Sequence, residues 1–219
     1  MRGRGRVAVS AIAYWLADRG FDAGRGDFFY LADAFLNGRT WLTFPPGAND
    51  VISIDGRFFV PFAPFPAILL MPLVAIIGAV NADLYETGIN AILAASGVGL
   101  CWMFLGRIGV ARLVDRLALA ILFGFSTQIL WVTTRGGVWH TGHLVATILT
   151  FAALIEVFGK QRAWLIGLLA GAAFLTRAPL AFAIPFYGLL LEPRPTLPSI
   201  DRRRLCPVRS TVRARPARG

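Results

Sequence analysis

The chain has 219 residues and a mass of 23.8 kDa; 56% of its residues are hydrophobic and only 16% are charged. With a mean hydropathy of +0.63, this composition excludes an ordinary soluble domain and indicates a membrane protein in contact with a lipid bilayer. The net charge of +10 would suggest nucleic acid binding in a soluble protein. Because the sequence shows no element that would read a groove or stack on bases, we expect no nucleic acid partner.

The start of the chain predicts a short first helix. Three arginines in MRGRGR precede the apolar stretch 7–17, as in a signal peptide, but no small-x-small cleavage site follows cleanly. As a helix this stretch rises about 17 Å, which is short of the roughly 30 Å hydrocarbon core of a bilayer. We interpret it as an uncleaved first helix.

Five later stretches are apolar enough to be considered as membrane segments. Four of them carry no formal charge and are long enough to span: 58–82, 87–106, 117–134 and 136–155. The fifth, 163–191, is interrupted by Arg177 and Pro179, which leaves two apolar arms of roughly 20 Å each. This interruption predicts a helical hairpin or a broken helix.

The charges of the loops predict which stretches cross the membrane. The region 18–57 holds six acidic residues against four basic ones, and the loop at Asp83 and Glu86 has no base, whereas the loops 107–116 and 160–162 are basic. If 58–82 spanned as a helix, the acidic loop would fall inside and both basic loops outside, against the positive-inside rule. We therefore predict that 58–82 stays on the outer side as a re-entrant or surface-lying element.

The prolines of this stretch favour the same topology. Pro61, Pro64, Pro66 and Pro72 would each remove a backbone donor from a continuous spanning helix. A true span kinked by its prolines is the alternative, since kinked spans are common. The charges of the loops favour the outer-side position and leave the kinked span as the alternative.

These patterns together predict an all-α fold, a polytopic transmembrane helical bundle with a partly helical first outer loop, 18–88. Residues 1–191 form the membrane module, and the hairpin at 163–191 returns the chain to the cytoplasm. The tail 192–219 holds eight arginines against two acidic residues and has few apolar residues. We predict that this basic tail is disordered.

The first candidate for chemistry is Asp27, in the polar outer loop. It precedes a helical pattern with Phe28, Leu31 and Phe35 on one side, so it could be an N-cap that accepts backbone donors. The functional alternative is a carboxylate at the membrane surface, where partial loss of water would help it to act as a base. The local pattern leaves both interpretations open.

The second candidate lies in RGGVWHTGH, 135–143, where the chain turns on the outer face. His140 and His143 are three residues apart and share one face of a helix. Two histidines without a third ligand are weak evidence for a metal, and the two cysteines have no zinc spacing, so we expect no metal site. The alternative is that both histidines are interfacial hydrogen-bonding groups beside an anchoring Trp139.

The third candidate is Arg177, in GLLAGAAFLTRAPLAF. An arginine between apolar segments is costly in a bilayer and indicates a functional site with an anionic partner. A phosphate suits a guanidinium, whose planar fork binds two oxygens at once. Alternatively, Arg177 snorkels or pairs with a carboxylate such as Asp27. Arg57 and Arg135 are further outer-face cations, for which a topological or solvated role is the alternative.

Four blocks in this order carry a family resemblance: DFFYLADAFLNGR, DGRFFVPFAPFPAILLMPLVAIIG, VWHTGH and GLLAGAAFLTRAPL. The chain from Val7 to Leu191 resembles the N-terminal part of a bacterial GT-C membrane glycosyltransferase. The likeness is to the protein-mannosyltransferase-like and aminoarabinose-transferase-like group, glycosyltransferase family 39. The order of the blocks is more specific than any single one.

This resemblance implies an enzyme that transfers a hexosyl or pentosyl sugar, with inversion, from a polyprenyl-phosphate-linked donor to an acceptor. The transfer would occur at the outer face of the cell inner membrane, in which the protein is multi-pass, and no cofactor is implied. Asp27 occupies the place of the family's catalytic acidic residue, and Phe28 stands where family members commonly have a second acid. The residues expected to bind substrate are Tyr30, Arg57, Arg135, His140, His143 and Arg177.

Two alternatives come from other functional classes. A small membrane transporter or lipid flippase would use Arg177 and the broken hairpin as a binding site near the middle of the membrane. An inactive truncated fragment would bind anionic lipid through its basic tail. The abrupt change of composition after Leu191 resembles a truncated end or a frameshift.

Overall fold

The computed structural model describes residues 2–17, 26–44 and 51–191, and most of this part of the chain is helical. The tail 192–219, predicted to be disordered, lies outside the described residues. The elements in chain order are α1 (Arg2–Ala17), α2 (Asp27–Leu36), β1 (Ile52–Ile54), β2 (Arg57–Phe59), α3 (Phe65–Ile77), α4 (Ala79–Leu84), α5 (Glu86–Arg107), α6 (Leu113–Phe125), α7 (Gln128–Thr134), α8 (Val138–Val157), α9 (Ala163–Phe174), a 3-10 helix (Ala178–Phe182) and α10 (Ala183–Leu191).

Helices α5 and α8 are each long and apolar enough to cross a bilayer. Helices α6 and α7 reach that length only as a pair, which is bent by 48° at the break between them. The break contains Thr127, whose Oγ1 accepts a hydrogen bond from the N–H of Ile129 (3.3 Å) and so caps the start of α7. The described residues therefore hold two helices of membrane length, or three if the bent pair is one span.

Helices α5 and α8 pack side by side and run in the same direction. Thr141, in the first turn of α8, contacts Glu86, in the first turn of α5. At their other ends, the ring of Phe158, which follows α8, lies 5.8 Å from the ring of Phe104. We call the end at which both helices start the upper end of the bundle, and the end at which both finish the lower end.

The segment 163–191 folds as a helix, a turn and a returning helix. Ile166 of α9 packs with Val157 at the end of α8, so α9 runs from the lower end to the upper end. The predicted break is confirmed, because Arg177 has an extended backbone and Pro179 lies in the 3-10 helix that follows. Helix α10 then returns, with Tyr187 buried in the same cluster as Ile166. Arg177 consequently lies at the upper end of the bundle.

The first outer loop packs on the upper end. Helices α2, α3 and α4 share a buried cluster that includes Phe28 and Phe29 of α2 with Leu70 of α3. The ring of Phe62, just before α3, lies 5.1 Å from that of Trp139 in α8. With 13 residues, α3 rises roughly 20 Å, which is shorter than the roughly 30 Å that a span needs. Its length agrees with the prediction that 58–82 does not cross the membrane.

The all-α prediction is wrong at one place in the described part of the chain. Strands β1 and β2 form an antiparallel hairpin in which Ile54 lies opposite Arg57. Asp55 and Gly56 connect them with φ values of 49° and 74°, the two positive angles of a type I′ turn. Such an Asp-Gly turn between β-branched and aromatic residues favours a hairpin over a helix. The first outer loop is therefore mixed in structure.

The topology is testable with single cysteines, in a background that lacks Cys101 and Cys206. We expect an impermeant thiol reagent to label Asn37→Cys and Tyr85→Cys in intact cells, because both positions are exposed and lie on the same side of a non-spanning 58–82. Arg112→Cys should be labelled only after the cells are opened, since it follows the α5 span. Labelling of Asn37→Cys and Tyr85→Cys on opposite sides would show that the proline-rich stretch spans.

Candidate functional site

Asp27 begins α2 and is buried, with 1% of its surface exposed. Gly26 occupies the N-cap position, so the interpretation of Asp27 as the N-cap is wrong. A carboxylate in the first turn of a helix is favourable, because the N-terminal end carries a partial positive charge. The partial charge of the helix start therefore explains why a negative side chain is stable at this position. Because Asp27 is buried, it differs from an acidic residue in contact with water.

The carboxylate of Asp83, in α4, holds the start of α2 at two points. Its Oδ1 accepts a hydrogen bond from the backbone N–H of Gly26 (2.9 Å), and its Oδ2 accepts one from the hydroxyl of Tyr30 (3.1 Å). We call this pair of hydrogen bonds the Asp83 latch. Because Asp27 lies between the two donors in sequence, the latch fixes the backbone that carries Asp27.

Two further features show how closely the latch is packed. A Cβ at Gly26 would lie 2.5 Å from Asp83 Oδ1 and would also collide with the ring of Phe29, so glycine alone fits there. Burial, and then the carboxylates of Asp83 and Asp27, raise the pKa of Tyr30 to about 12. Tyr30 is therefore protonated at neutral pH, and its single O–H is the one that it donates to Asp83.

A buried polar cluster joins the first turns of α5 and α8. The hydroxyl oxygen of Thr141 lies 3.1 Å from Glu86 Oε1 and 2.9 Å from Asn90 Oδ1. All three side chains are at most 1% exposed. Burial of polar groups is costly unless they bond to one another, so this cluster holds the two helices in one register.

Arg177 is held against the start of α8 by Trp139. Its Nη2 donates a hydrogen bond to the carbonyl oxygen of Trp139 (2.8 Å), and its guanidinium carbon lies 5.4 Å from the centre of the Trp139 ring. The side chains of Arg177 and Phe28 both lie within 4 Å of the point that a Cβ on Gly142 would occupy. Because Gly142 has no side chain, Phe28, which follows Asp27, and the guanidinium of Arg177 can both lie against the same face of α8.

A groove runs from Arg177 along α8. Its volume is about 380 Å³, and its lining residues are His143, Ala146, Thr147, Thr150, Phe151, Arg177, Pro179 and Leu180. The hydroxyls of Thr147 and Thr150 donate to the carbonyl oxygens one turn earlier in α8, each at 2.8 Å, so hydrogen bonds inside the helix already satisfy them. The groove is therefore mainly apolar, with Arg177 and His143 as its polar end.

His140 and His143 have different neighbours in the structure. His143 lines the groove, whereas the ring of His140 lies 5.0 Å from that of Trp131, and its Nδ1 contacts the carbonyl oxygen of Gly136. Arg135 lies over the same Trp131 ring, 5.6 Å from its centre. Within the described residues there is no group of three or more His, Cys, Asp or Glu side chains that could hold a metal ion.

The predicted site residues therefore divide into two sets. Six of them lie near the upper end of the bundle: Asp27, Tyr30, Arg135, His140, His143 and Arg177. Arg57 lies on the exposed β-hairpin instead, with its guanidinium carbon 4.5 Å from the centre of the Trp41 ring. That contact fastens the hairpin to the loop before it.

Sequence analysis missed the acidic partners of the site. Asp83 and Glu86 served there as loop charges, yet Asp83 forms the latch and Glu86 belongs to the cluster with Thr141. The available signal was the position of Glu86 in the first turn of an apolar helix of spanning length, where an ionisable residue indicates a role. The residues that contact Asp83 and Glu86 lie more than 50 residues away along the chain, so no local sequence pattern indicated these contacts.

No family model, curated protein or solved structure matches this chain.

The Asp83 latch can be tested by titration. In Asp83→Asn we expect the pKa of Tyr30 to fall from about 12 towards its ordinary value of 10, because the negative charge that disfavours the phenolate is gone. Ultraviolet absorbance of the phenolate measures this shift, and Tyr30→Phe identifies the signal among the four tyrosines. Asp33→Asn, on the same helix, is the control and should leave the titration unchanged.

Gly26→Ala tests the packing of the same latch. The new Cβ would meet the Phe29 ring and the Asp83 carboxylate, so we expect a loss of roughly 1–3 kcal/mol in the free energy of unfolding, as for other overpacked sites. Thermal unfolding in detergent, compared with Gly88→Ala, where nothing lies within 4 Å, measures the difference. Equal stability of the two variants would contradict the close approach of Gly26 and Asp83.

Proposed function

We propose that this chain is the membrane module of a GT-C-type glycosyltransferase. It would move a sugar from a polyprenyl-phosphate-linked donor to an acceptor at the outer face of the inner membrane. The observation that carries this proposal is that Asp27 and Arg177 lie at the same end of the bundle, linked through Phe28. The buried Asp27 begins a helix whose next residue, Phe28, shares the surface of Gly142 with the guanidinium of Arg177.

The proposed reaction assigns one role to each of these side chains. The carboxylate of Asp27 takes the proton of the acceptor hydroxyl while the oxygen of that hydroxyl attacks the anomeric carbon of the donor sugar. The bond between that carbon and the phosphate oxygen breaks, and its electron pair leaves with the polyprenyl phosphate. Arg177 stabilises the negative charge that develops on this phosphate.

The bonding of Arg177 supports its role as the phosphate ligand. A guanidinium has five N–H donors, and the hydrogen bond to Trp139 uses one of them. The backbone carbonyl and the ring of Trp139 orient the guanidinium without neutralising its charge. Arg177 can therefore bind phosphate oxygens bidentately while it keeps its contact with α8.

The groove along α8 supports a lipid-linked donor over a free sugar nucleotide. Its polar end is formed by Arg177 and His143, and its remaining walls present methyl groups and rings. An isoprenoid chain could follow these walls with its phosphate at Arg177. A nucleotide would instead need polar partners for its base and ribose.

We assign the other candidate residues to substrate binding, in roles that follow from their positions. Tyr30 lies one turn from Asp27, and its hydroxyl oxygen can accept a hydrogen bond while its O–H stays on Asp83. His143 lies beside the phosphate position. Arg135 and His140 around Trp131 would contact the acceptor or the sugar. Arg57 would contribute from the β-hairpin.

A lipid flippase is the second candidate, and the same groove favours it. A lipid phosphate at Arg177 with its chain along α8 is equally what a carrier of lipid headgroups would bind. The two functions differ at Asp27, because a carrier needs no base there. Experiments on Asp27 therefore separate them.

We expect Asp27→Asn to reduce turnover by at least about 100-fold while donor binding is largely kept, because the amide keeps the shape of the side chain but cannot take the proton. The measurement is transfer from labelled polyprenyl-phosphate sugars in membranes that contain this chain or a longer parent. Asp33→Asn, on the same helix, is the matched control and should retain its turnover. Normal turnover of Asp27→Asn at equal abundance would remove Asp27 from the mechanism.

Arg177→Lys should weaken donor binding as well as turnover, since lysine keeps the charge but loses the planar fork. Binding of the labelled donor to the purified chain measures the first effect, and Arg39→Lys is the control. If both Arg177→Lys and Asp27→Asn mainly lower the amount of folded protein, the two residues are structural. Undiminished donor binding in Arg177→Lys would place the phosphate elsewhere.

A further inference from the structure

The lower end of the bundle collects basic side chains from two turns and the helix ends beside them. The ranges 105–116 and 156–162 contain two acidic residues, Asp115 and Glu156, and five basic ones, Arg107, Arg112, Arg116, Lys160 and Arg162. The C-terminal ends of α5 and α8 add about half a negative charge each. Positive charge therefore remains in excess at this end.

Two of the five basic side chains are already bound within the protein. Arg162 forms a two-point ion pair with Glu156, with Nε 2.8 Å from Oε1 and Nη2 3.0 Å from Oε2. Arg116 donates twice to the carbonyl oxygen of Val110, at 2.7 and 3.2 Å, and lies over the ring of Trp102. These bonds hold the two turns in place and also occupy the carboxylate of Glu156.

Arg107 and Lys160, by contrast, lie at the same turn, and Glu156, which attracts Lys160, is already paired with Arg162. The guanidinium of Arg107 lies 3.0 to 3.3 Å from the point that a Cβ on Gly159 would occupy, so it rests directly on the turn. Lys160 is the next residue and is exposed, as is Arg107. Within the described residues neither side chain forms an ion pair. Two neighbouring cations repel each other unless an anion lies between them.

The surroundings of this pair indicate a lipid as the source of the anion. Leu113 and Val114, at the start of α6, are 61% and 75% exposed, and Trp164, at the start of α9, is 68% exposed. Tryptophan and apolar side chains beside arginines are typical of the headgroup level of a membrane. A binding site for a soluble anion would instead be expected to have polar surroundings.

We propose that Arg107 and Lys160 form a binding site for the phosphate of an anionic phospholipid in the leaflet at the lower end. The phosphate oxygens bridge the guanidinium and the ammonium, and the acyl chains lie against the exposed apolar residues of α6. A Cβ on Gly159 would meet the carbonyl oxygen of Ile155 at 2.7 Å as well as Arg107, so the glycine keeps open the turn on which Arg107 rests. The site is independent of any transferase activity, since it lies at the opposite end of α5 and α8 from Asp27 and Arg177.

The test uses the whole chain, purified in an uncharged detergent, and counts bound lipid by native mass spectrometry. The probes are short-chain phosphatidylglycerol, phosphatidylcholine with the same chains, and inorganic phosphate. We expect the chain to bind phosphatidylglycerol at least about ten-fold more tightly than phosphatidylcholine. Arg107→Gln with Lys160→Gln should weaken phosphatidylglycerol binding up to about thirty-fold, from about 1 kcal/mol for each basic residue at an anionic membrane surface.

Matched controls separate this site from a general effect of charge. Arg39→Gln removes a positive charge in the first outer loop and should leave phosphatidylglycerol binding unchanged. If the double variant does not fold, as judged by circular dichroism, Lys160→Gln alone should still weaken binding by about five-fold. Equal affinity for the two phospholipids, or unchanged binding in these variants, would overturn the proposal. Inorganic phosphate that displaces phosphatidylglycerol at millimolar concentration would show a site for a soluble anion instead.

Discussion

The parallel packing of α5 against α8 sets the two ends of the bundle at which most candidate functional groups of this protein lie. Its upper end is held by Thr141, which contacts Glu86 and Asn90 inside an otherwise apolar interface. A buried polar group that loses its partner costs more than an apolar contact that shifts, so these bonds specify one register. Everything else at the two ends follows from that register, including the return of α9 to the start of α8.

The first outer loop depends on this framework for its position. None of α2, α3 and α4 is long enough to cross a bilayer, and their shared apolar cluster covers the upper end of α8 through Phe28 and Phe62. The Asp83 latch then fixes one helix start within that cluster. In the proposed reaction, this hold on the backbone would position the carboxylate of Asp27 as the base.

The upper and lower ends of the bundle differ in how their charged side chains are placed, and this difference supports different roles for the two ends. The upper end buries carboxylates and holds Arg177 on Trp139, beside a groove that suits a lipid chain. The lower end spreads its arginines over turns, where Arg162 neutralises Glu156 and Arg107 rests on Gly159. We propose chemistry on a lipid-linked substrate at the first end and attachment to anionic lipid at the second.

The sequence by itself determined the features that depend on neighbouring residues. Apolar runs gave the helices of membrane length, and Arg177 with Pro179 gave the break after α9, because hydropathy and proline act locally. Its Asp-Gly pair at Asp55 also carried the hairpin signal, which the all-α prediction overlooked. The tertiary structure alone decided which polar groups meet. The partners of Asp83 and Thr141 lie 51 to 57 residues away along the chain, and side-chain contacts over such distances follow from helix packing.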